Sequence, residues 1–404
     1  KQKTAYEIRL SLVGSEMCIR DRYKKCFGHD ALRGENILLE FGSLIQIADD
    51  LVEPAAGLPY LAPGFIDLQV NGFAGVDYNS PDTSHEEIAR SLRVQFATGT
   101  TRLLPTVITG SREGMLGSLK NLYAAKQALP EGVAMEGFHV EGPHIASEDG
   151  PRGAHPKQHV RPPDVDEYRR WQEATEGLVK LVTIAPEWPE APAYIEALVR
   201  EGVTVAIGHT AAHSVHIQAA VAAGATLSTH LGNGAHAVMA RHPNYLWDQL
   251  AEDRLNADFI VDGIHVGAAF LKVALRAKGI DRSILVTDAS SPAGAAPGRY
   301  MLADQPVDLT EDDRVVLTGQ TRLAGSALKM HRGVENLMRI AGLSLAEALT
   351  MATRNPARVG RISGRQRGLA AGDRADFVVF DFDTSTKAIN ILETWIGGEC
   401  FFRQ

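Results

Sequence analysis

Four short segments of this 404-residue chain end an apolar run on a side chain able to bind a metal or move a proton. They are His139-Val140-Glu141-Gly142-Pro143, Gly208-His209-Thr210, Thr229-His230-Leu231-Gly232-Asn233 and Leu285-Val286-Thr287-Asp288-Ala289. One carboxylate and two imidazoles, Glu141, His209 and His230, make a common ligand set for catalytic zinc with one position left for water. A metal so held acidifies the water and polarises a carbonyl, as metal-assisted hydrolysis requires. Asp288 is then the candidate general base and acid, taking a proton from water and returning it to a leaving nitrogen. The same ligands suit ferrous iron, with zinc the preferred reading.

Each of these residues has a plainer reading on its own. A His after an apolar run is more often a hydrogen-bonded core or loop residue, and Asp288 could cap the next helix. Four of them at four run ends favour catalysis. His265, in Ile260-Val261-Asp262-Gly263-Ile264-His265, is either a loop histidine or a neutral donor to a substrate carbonyl oxygen as charge builds there. His139, His144 and His155 lie near Glu141 in sequence and are candidates for substrate contact or for supporting roles. The loop from Gly232 to Pro243, with Asn233, Gly234, His236 and Arg241, suits an anion or sugar hydroxyls, though a solvated loop has the same look.

The elements that must position these groups are legible as alternation. Apolar runs over 65–70, 102–107, 134–140, 178–184, 204–207, 226–229, 256–261 and 283–287 read as strands. Helical patterns over 85–97, 112–129, 191–201, 213–223 and 267–278 separate several of them. About eight strands alternating with helices predict an α/β fold of the (β/α)8 TIM type, with catalytic groups at the C-terminal strand ends. Strand-like runs within 35–50, and again at 377–380 and 388–391, are too short to fold separately and should pair into one small β domain. The expected division is therefore a β-sandwich from 23–62 and 366–404 flanking a barrel over 63–365. Residues 1–22 show no helical, strand or signal-peptide pattern, resemble translated adapter sequence, and are expected to be non-native.

Composition narrows the class further. The hydrophobic fraction of 45% and charged fraction of 22% are those of a globular chain with a large core. A net charge of −8 without any basic block argues against a nucleic-acid partner. No apolar run reaches the roughly 18 residues of a membrane span. Cys18, Cys26 and Cys400 are too few and scattered for a disulfide framework, so a reducing cytoplasm is expected.

On these segments the chain resembles the N-acetylglucosamine-6-phosphate deacetylases of the amidohydrolase superfamily. Further matching stretches are Pro63-Gly-Phe-Ile-Asp67-Leu-Gln69-Val-Asn71-Gly72, Asp262-Gly-Ile-His265, Leu323-Ala-Gly-Ser326-Ala-Leu328, Asn355-Pro-Ala357 and Gly368-Leu-Ala-Ala-Gly372. The resemblance spans roughly residues 35 to 400. It implies a metal-dependent barrel, a sandwich built from both termini and a homodimer that removes acetate from the 2-acetamido group of an amino sugar 6-phosphate. It implies Glu141, His209 and His230 as metal ligands, Asp288 as base then acid, and His265 on the amide. Substrate contacts are implied for Asn233, Gly234 and Arg241 as well, the arginine reaching the phosphate across the dimer, and Gly142 and His155 beside Glu141 are further candidates for substrate contact. Two departures stand out. Gln69-Val-Asn71 occupies the first-strand position where many relatives carry His-x-His, and neutral amides are poor zinc ligands, so one metal per subunit is expected. The segment around Arg241 also differs from the usual phosphate loop. Deacetylation of the unphosphorylated sugar or of another N-acyl amino sugar is therefore the alternative, and a non-catalytic sugar-binding barrel is the alternative of another class.

Overall fold

The computed structural model describes residues 23–50, 57–364 and 368–404. The segment 1–22 lies outside the described residues. Eight parallel strands form one sheet, in chain order: β1 (Phe65–Val70), β2 (Thr100–Ile108), β3 (Phe138–Glu141), β4 (Val179–Ile184), β5 (Thr204–Ile207), β6 (Leu227–Ser228), β7 (Asn256–Ile260) and β8 (Ser283–Val286). Helices such as His85–Phe96, Arg112–Ala128, Ala191–Arg200, Ser214–Ala222 and Ala268–Lys278 cross between them.

Local sequence explains the elements. Strand β5 is buried along its whole length and reads as a continuous run, not an alternating one; β7 is equally buried but carries Asn256 and Asp258 within it. Ser84 accepts the Glu87 N–H while the Glu87 carboxylate accepts the Ser84 N–H, a capping box that starts the helix His85–Phe96. Ile88, Leu92 and Phe96 on that helix pack in one apolar cluster with Leu103 and Val107 of β2.

The barrel closes where β1 meets β8. Val70 bridges Ala289, and the Asn71 N–H donates to the Ala289 carbonyl at 2.7 Å. Buried Asp67 completes the seam by accepting the Thr287 N–H at 3.2 Å and its hydroxyl at 2.5 Å. This is the expected (β/α)8 barrel.

Strands from both termini build a second sheet of seven strands. Its order is Glu399–Arg403, Ile389–Ile396, Phe377–Phe382, Tyr60–Pro63, Lys24–Asp30, Glu35–Phe41, Ile45–Asp50. The sheet curls over a core of its own: Phe41 lies edge-on to Phe377 and Trp395, with ring centroids 4.9 and 5.2 Å apart, although other strands separate them in the sheet. Tyr60–Pro63 runs directly into β1, tying this small domain to the barrel.

Several elements were not foreseen. Strands Lys24–Asp30 and Glu399–Arg403 border the predicted ones. A three-stranded antiparallel sheet, Gly298–Leu302, Gln305–Leu309 and Val315–Leu317, is inserted after β8 around Leu302, Val307, Leu309, Val315 and Leu317. Among the described residues, no helix is long and apolar enough to cross a membrane.

Candidate active site

Glu141 is the last residue of β3, while His209, His230 and Asp288 each stand two residues beyond β5, β6 and β8. All four are buried. His209, His230 and Asp288 have left-handed backbones, with φ of 51°, 29° and 48°. Such conformations cost non-glycine residues on the order of 1 kcal/mol or more and persist where the surrounding structure imposes them. Here each turns its side chain off the strand direction and over the barrel mouth.

The side chains converge on Glu141. Its Oε1 lies 2.9 Å from His230 Nε2 and 3.2 Å from His209 Nε2. The Nδ1 of His209 is 2.9 Å from the Pro151 carbonyl, which only accepts, so Nδ1 carries the proton and a neutral ring turns its Nε2 lone pair toward the carboxylate. Two lone pairs at that distance are tolerable only with a proton or a cation between them. The donor set therefore fits a divalent metal, its imidazole tautomer fixed from behind. Ligand atoms of Glu141, His155 and His209 lie within 4.8 Å of one another, so His155 joins the same cluster.

Where a proton fills that gap in place of a cation, the hydrogen bonds of His209 and His230 outweigh the effect of burial, which alone would raise Glu141, and hold its carboxyl well below the usual range. Burial opposes a charged His230, yet Glu141 dominates and pushes it up to about 9. His155 is pushed down to about 3 by burial and by the neighbouring His209, which leaves it neutral. Its Nδ1 bonds Thr109 Oγ1 at 2.8 Å.

Asp288 is raised to about 6, first by burial and then by the Glu141 charge. Its Oδ1 accepts from Asn71 Nδ2 at 2.7 Å and from Gln69 Nε2 at 3.2 Å, and Gln69 Nε2 also reaches Glu141 Oε1 at 2.9 Å. Carboxylates only accept, which fixes both amides with nitrogen toward the acids. The first-strand amides thus hold the two carboxylates. The Oδ2 of Asp288 has no hydrogen-bond partner among the described residues, so it is the oxygen left to move a proton.

His265 donates Nδ1–H to Asp262 Oδ2 at 2.6 Å, and Asp262 Oδ1 accepts the His265 N–H at 2.8 Å. Asp262 is held below the usual range: burial would raise it, but the hydrogen bond and charge of His265 prevail. With Nδ1–H so used, the neutral ring offers Nε2 as an acceptor, and donation from Nε2 belongs to the imidazolium.

The remaining candidates separate. Gly142 spends its N–H on the Thr183 carbonyl at 3.0 Å. Asn233 folds back on the His230 carbonyl through its N–H at 2.9 Å and Nδ2 at 3.3 Å. The Gly234 N–H and the exposed Arg241 guanidinium have no partner among the described residues. His139 lies deeper in the barrel, bonding Thr183 Oγ1 at 2.8 Å, which in turn meets Thr229 Oγ1 at 2.8 Å. His144 packs against Trp171 and Tyr194, away from the cluster. Sequence reasoning missed Asp258, whose carboxylate accepts the His230 N–H at 2.5 Å and so supports that residue's strained backbone. A lone acid inside the buried run Asn256–Ile260 was the available signal.

Comparison with known proteins gives the family. Residues 60–400 match the amidohydrolase family. The N-acetylglucosamine-6-phosphate deacetylase of Bacillus subtilis is 33% identical over 80% of this chain and 81% of its own length. The N-acetylgalactosamine-6-phosphate deacetylase of a Shewanella species is 35% identical, covering 85% and 83%. The structure of a Mycobacterium smegmatis N-acetyl-D-glucosamine-6-phosphate deacetylase variant, in complex with N-acetyl-D-glucosamine-6-phosphate, superposes with a TM-score of 0.84 at 30% identity, covering 94% of this chain and 99% of that one. The chain therefore belongs to the amidohydrolase family, among its N-acetylglucosamine-6-phosphate deacetylases.

Proposed function

We propose that this protein hydrolyses the 2-acetamido group of N-acetylglucosamine 6-phosphate, giving glucosamine 6-phosphate and acetate. The observation that carries the reading is the convergence of Glu141, His209 and His230 beside Asp288, whose Oδ2 is free. A divalent metal, zinc by preference, held by Glu141, His209 and His230 would supply Lewis acidity to the amide carbonyl and to water. One metal per subunit follows from the amides at Gln69 and Asn71, whose nitrogens face the carboxylates.

Asp288 Oδ2 takes a proton from the attacking water and returns it to the departing amine nitrogen. Gln69 and Asn71 keep its other oxygen fixed, so the acid is oriented before substrate arrives. In this reading neutral His155, its Nε2 3.7 Å from Glu141 Oε2, contacts the acyl group, and His265, braced by Asp262, is a partner for the amide or a hydroxyl. The Gly234 N–H and Asn233 bind the sugar side. Arg241, exposed and without a partner among the described residues, serves the phosphate of a neighbouring copy in a homodimer. The scattered cysteines fit a reducing cytoplasm.

The galacto epimer is the second reading, favoured by the Shewanella relative at 35% identity. Acetate release from both hexosamine 6-phosphates and from free N-acetylglucosamine, with Asp288→Asn as control, decides. Release confined to the glucosamine phosphate and lost in the variant supports the proposal. Preference for the epimer or for the free sugar overturns the substrate, and release undiminished by Asp288→Asn overturns the mechanism.

A further inference from the structure

His209 is bracketed from behind by two loops. One follows β3 and carries Pro151, whose carbonyl takes the His209 Nδ1–H, and Gly153. The other follows β6 and carries Gly234. A Cβ placed on Gly153 would lie 3.1 Å from His209 Cε1, and one on Gly234 would lie 2.7 Å from Nδ1, so both backbones press on one edge of the ring. Nε2, the next ring atom beyond Cε1, faces Glu141.

The loops themselves lack regular structure at these points, and one chain of side chains fastens them together. His236 Nε2 lies 3.0 Å from Glu148 Oε1, and His236 Nδ1 lies 2.9 Å from Tyr245 Oη, which also accepts the His236 N–H at 2.8 Å. The carboxylate accepts, so Nε2 carries a hydrogen; in the neutral ring Nδ1 then accepts and the Tyr245 hydroxyl donates to it. Tyr245 is buried at the start of the helix Tyr245–Ala251, whose N-cap Asn244 accepts the Leu246 and Trp247 N–H groups. Gly150 lies against Ala235 and His236, completing the loop contact.

We propose that Tyr245, His236 and Glu148 form a latch that positions His209 for the metal. They are positioning residues, acting through the two glycine-bearing loops and touching neither metal nor substrate. The inference rests on the metal reading above. Hydrogen-bonded partners behind a ligand typically change metal affinity 10- to 100-fold when removed.

The test compares wild type with His236→Ala, Tyr245→Phe, Glu148→Ala and Glu148→Gln. Zinc affinity is measured by competition with a chromophoric chelator, and ligand geometry by the visible spectrum of the cobalt-substituted protein. His236→Ala and Tyr245→Phe should weaken zinc by about 10-fold or more and change the cobalt bands. Glu148→Gln, which keeps an acceptor oxygen, should stay near wild type. Glu148→Ala should weaken zinc in the same direction, and because that side chain is 61% exposed its removal leaves folding intact even if the Tyr245 variant folds poorly. Wild-type zinc affinity and unchanged cobalt bands in His236→Ala and Glu148→Ala would overturn the latch. Failure of wild type itself to bind one zinc per chain would instead overturn the metal reading on which the latch depends.

Discussion

Gly234→Ala tests how closely the β6 loop presses on the metal ligand. Gly234 has φ of 56°, where an L-residue pays on the order of 1 kcal/mol. The new Cβ would stand 2.7 Å from His209 Nδ1 and 2.9 Å from Cε1. Ordinary contact begins near 3.4 Å, so ring or loop must retreat by about 0.7 Å. A functional constellation holds its geometry to about 0.5 Å, so the retreat carries Nε2 out of line and strains the bond to Pro151. Zinc affinity should fall by about 10- to 100-fold, and acetate release at saturating zinc should fall on the order of 100-fold. Gly342→Ala is the matched control, since Gly342 is left-handed with φ of 79° and has nothing within 4 Å of an added Cβ. Both variants should lose similar stability in urea, and only Gly234→Ala should lose metal. Chelator competition and initial rates on the two proteins, side by side, give the answer. Equal zinc affinity in both would refute the argument that this backbone holds His209.

Other expectations follow from the same geometry. Asp288→Asn keeps an acceptor for Asn71 and should lower kcat by roughly 100- to 10,000-fold while zinc affinity stays within a few fold; a kcat loss below 10-fold would rule out proton transfer by this residue. Chelator dialysis should abolish acetate release and one equivalent of zinc should restore it, whereas a requirement for two would contradict the reading of Gln69 and Asn71. Arg241→Ala should raise KM for the phosphorylated sugar by about 10- to 100-fold, the equivalent of about 1.5–3 kcal/mol, with little effect on the free sugar. Mixing Arg241→Ala with Asp288→Asn should recover part of the activity if the arginine serves a neighbouring copy, and none if it serves its own. Asp67 is raised to about 7 by burial, so its contribution to stability is full below the unfolded value near 3.9 and is lost as pH climbs toward 7, with a slope of up to about 1.4 kcal/mol per unit. Asp67→Asn should flatten that part of the fall in metal-free protein, followed by calorimetry; an unchanged slope would place the titration elsewhere.

The barrel was legible because its strands are buried on both faces. Val179–Ile184 and Thr204–Ile207 lie between the barrel interior and the helices, so their sequences have no reason to alternate. The inserted sheet 298–317 was not legible, since strand Gly298–Leu302 buries only Leu302 and offers little apolar signal. Lys24–Asp30 is similar, buried chiefly at its end, and gains its place by pairing with Glu35–Phe41. The ligand candidates were visible as residues ending apolar runs. Their left-handed backbones were not, because no glycine or asparagine marks His209, His230 or Asp288, and the strain comes from contacts distant in sequence, such as Asp258 on His230.

The same distinction decides what Gln69 and Asn71 mean. In sequence they read as a loss, two neutral amides where relatives can hold a second metal. In the folded protein each amide nitrogen donates to an acid, Gln69 to Glu141 and Asp288, Asn71 to Asp288. A second cation at that place would have neutralised Asp288 and competed for its oxygens. The amides instead satisfy Oδ1 alone and leave Oδ2 for the proton, while burial, and after it the Glu141 charge nearby, keeps the carboxyl raised to about 6 and therefore basic enough to accept one. A single-metal site needs a separate proton carrier that is oriented but not neutralised, and two amides on β1 meet that need better than two imidazoles would. The sequence position was visible from the start, but its chemistry depends on the carboxylates of β3 and β8 that the barrel brings against it.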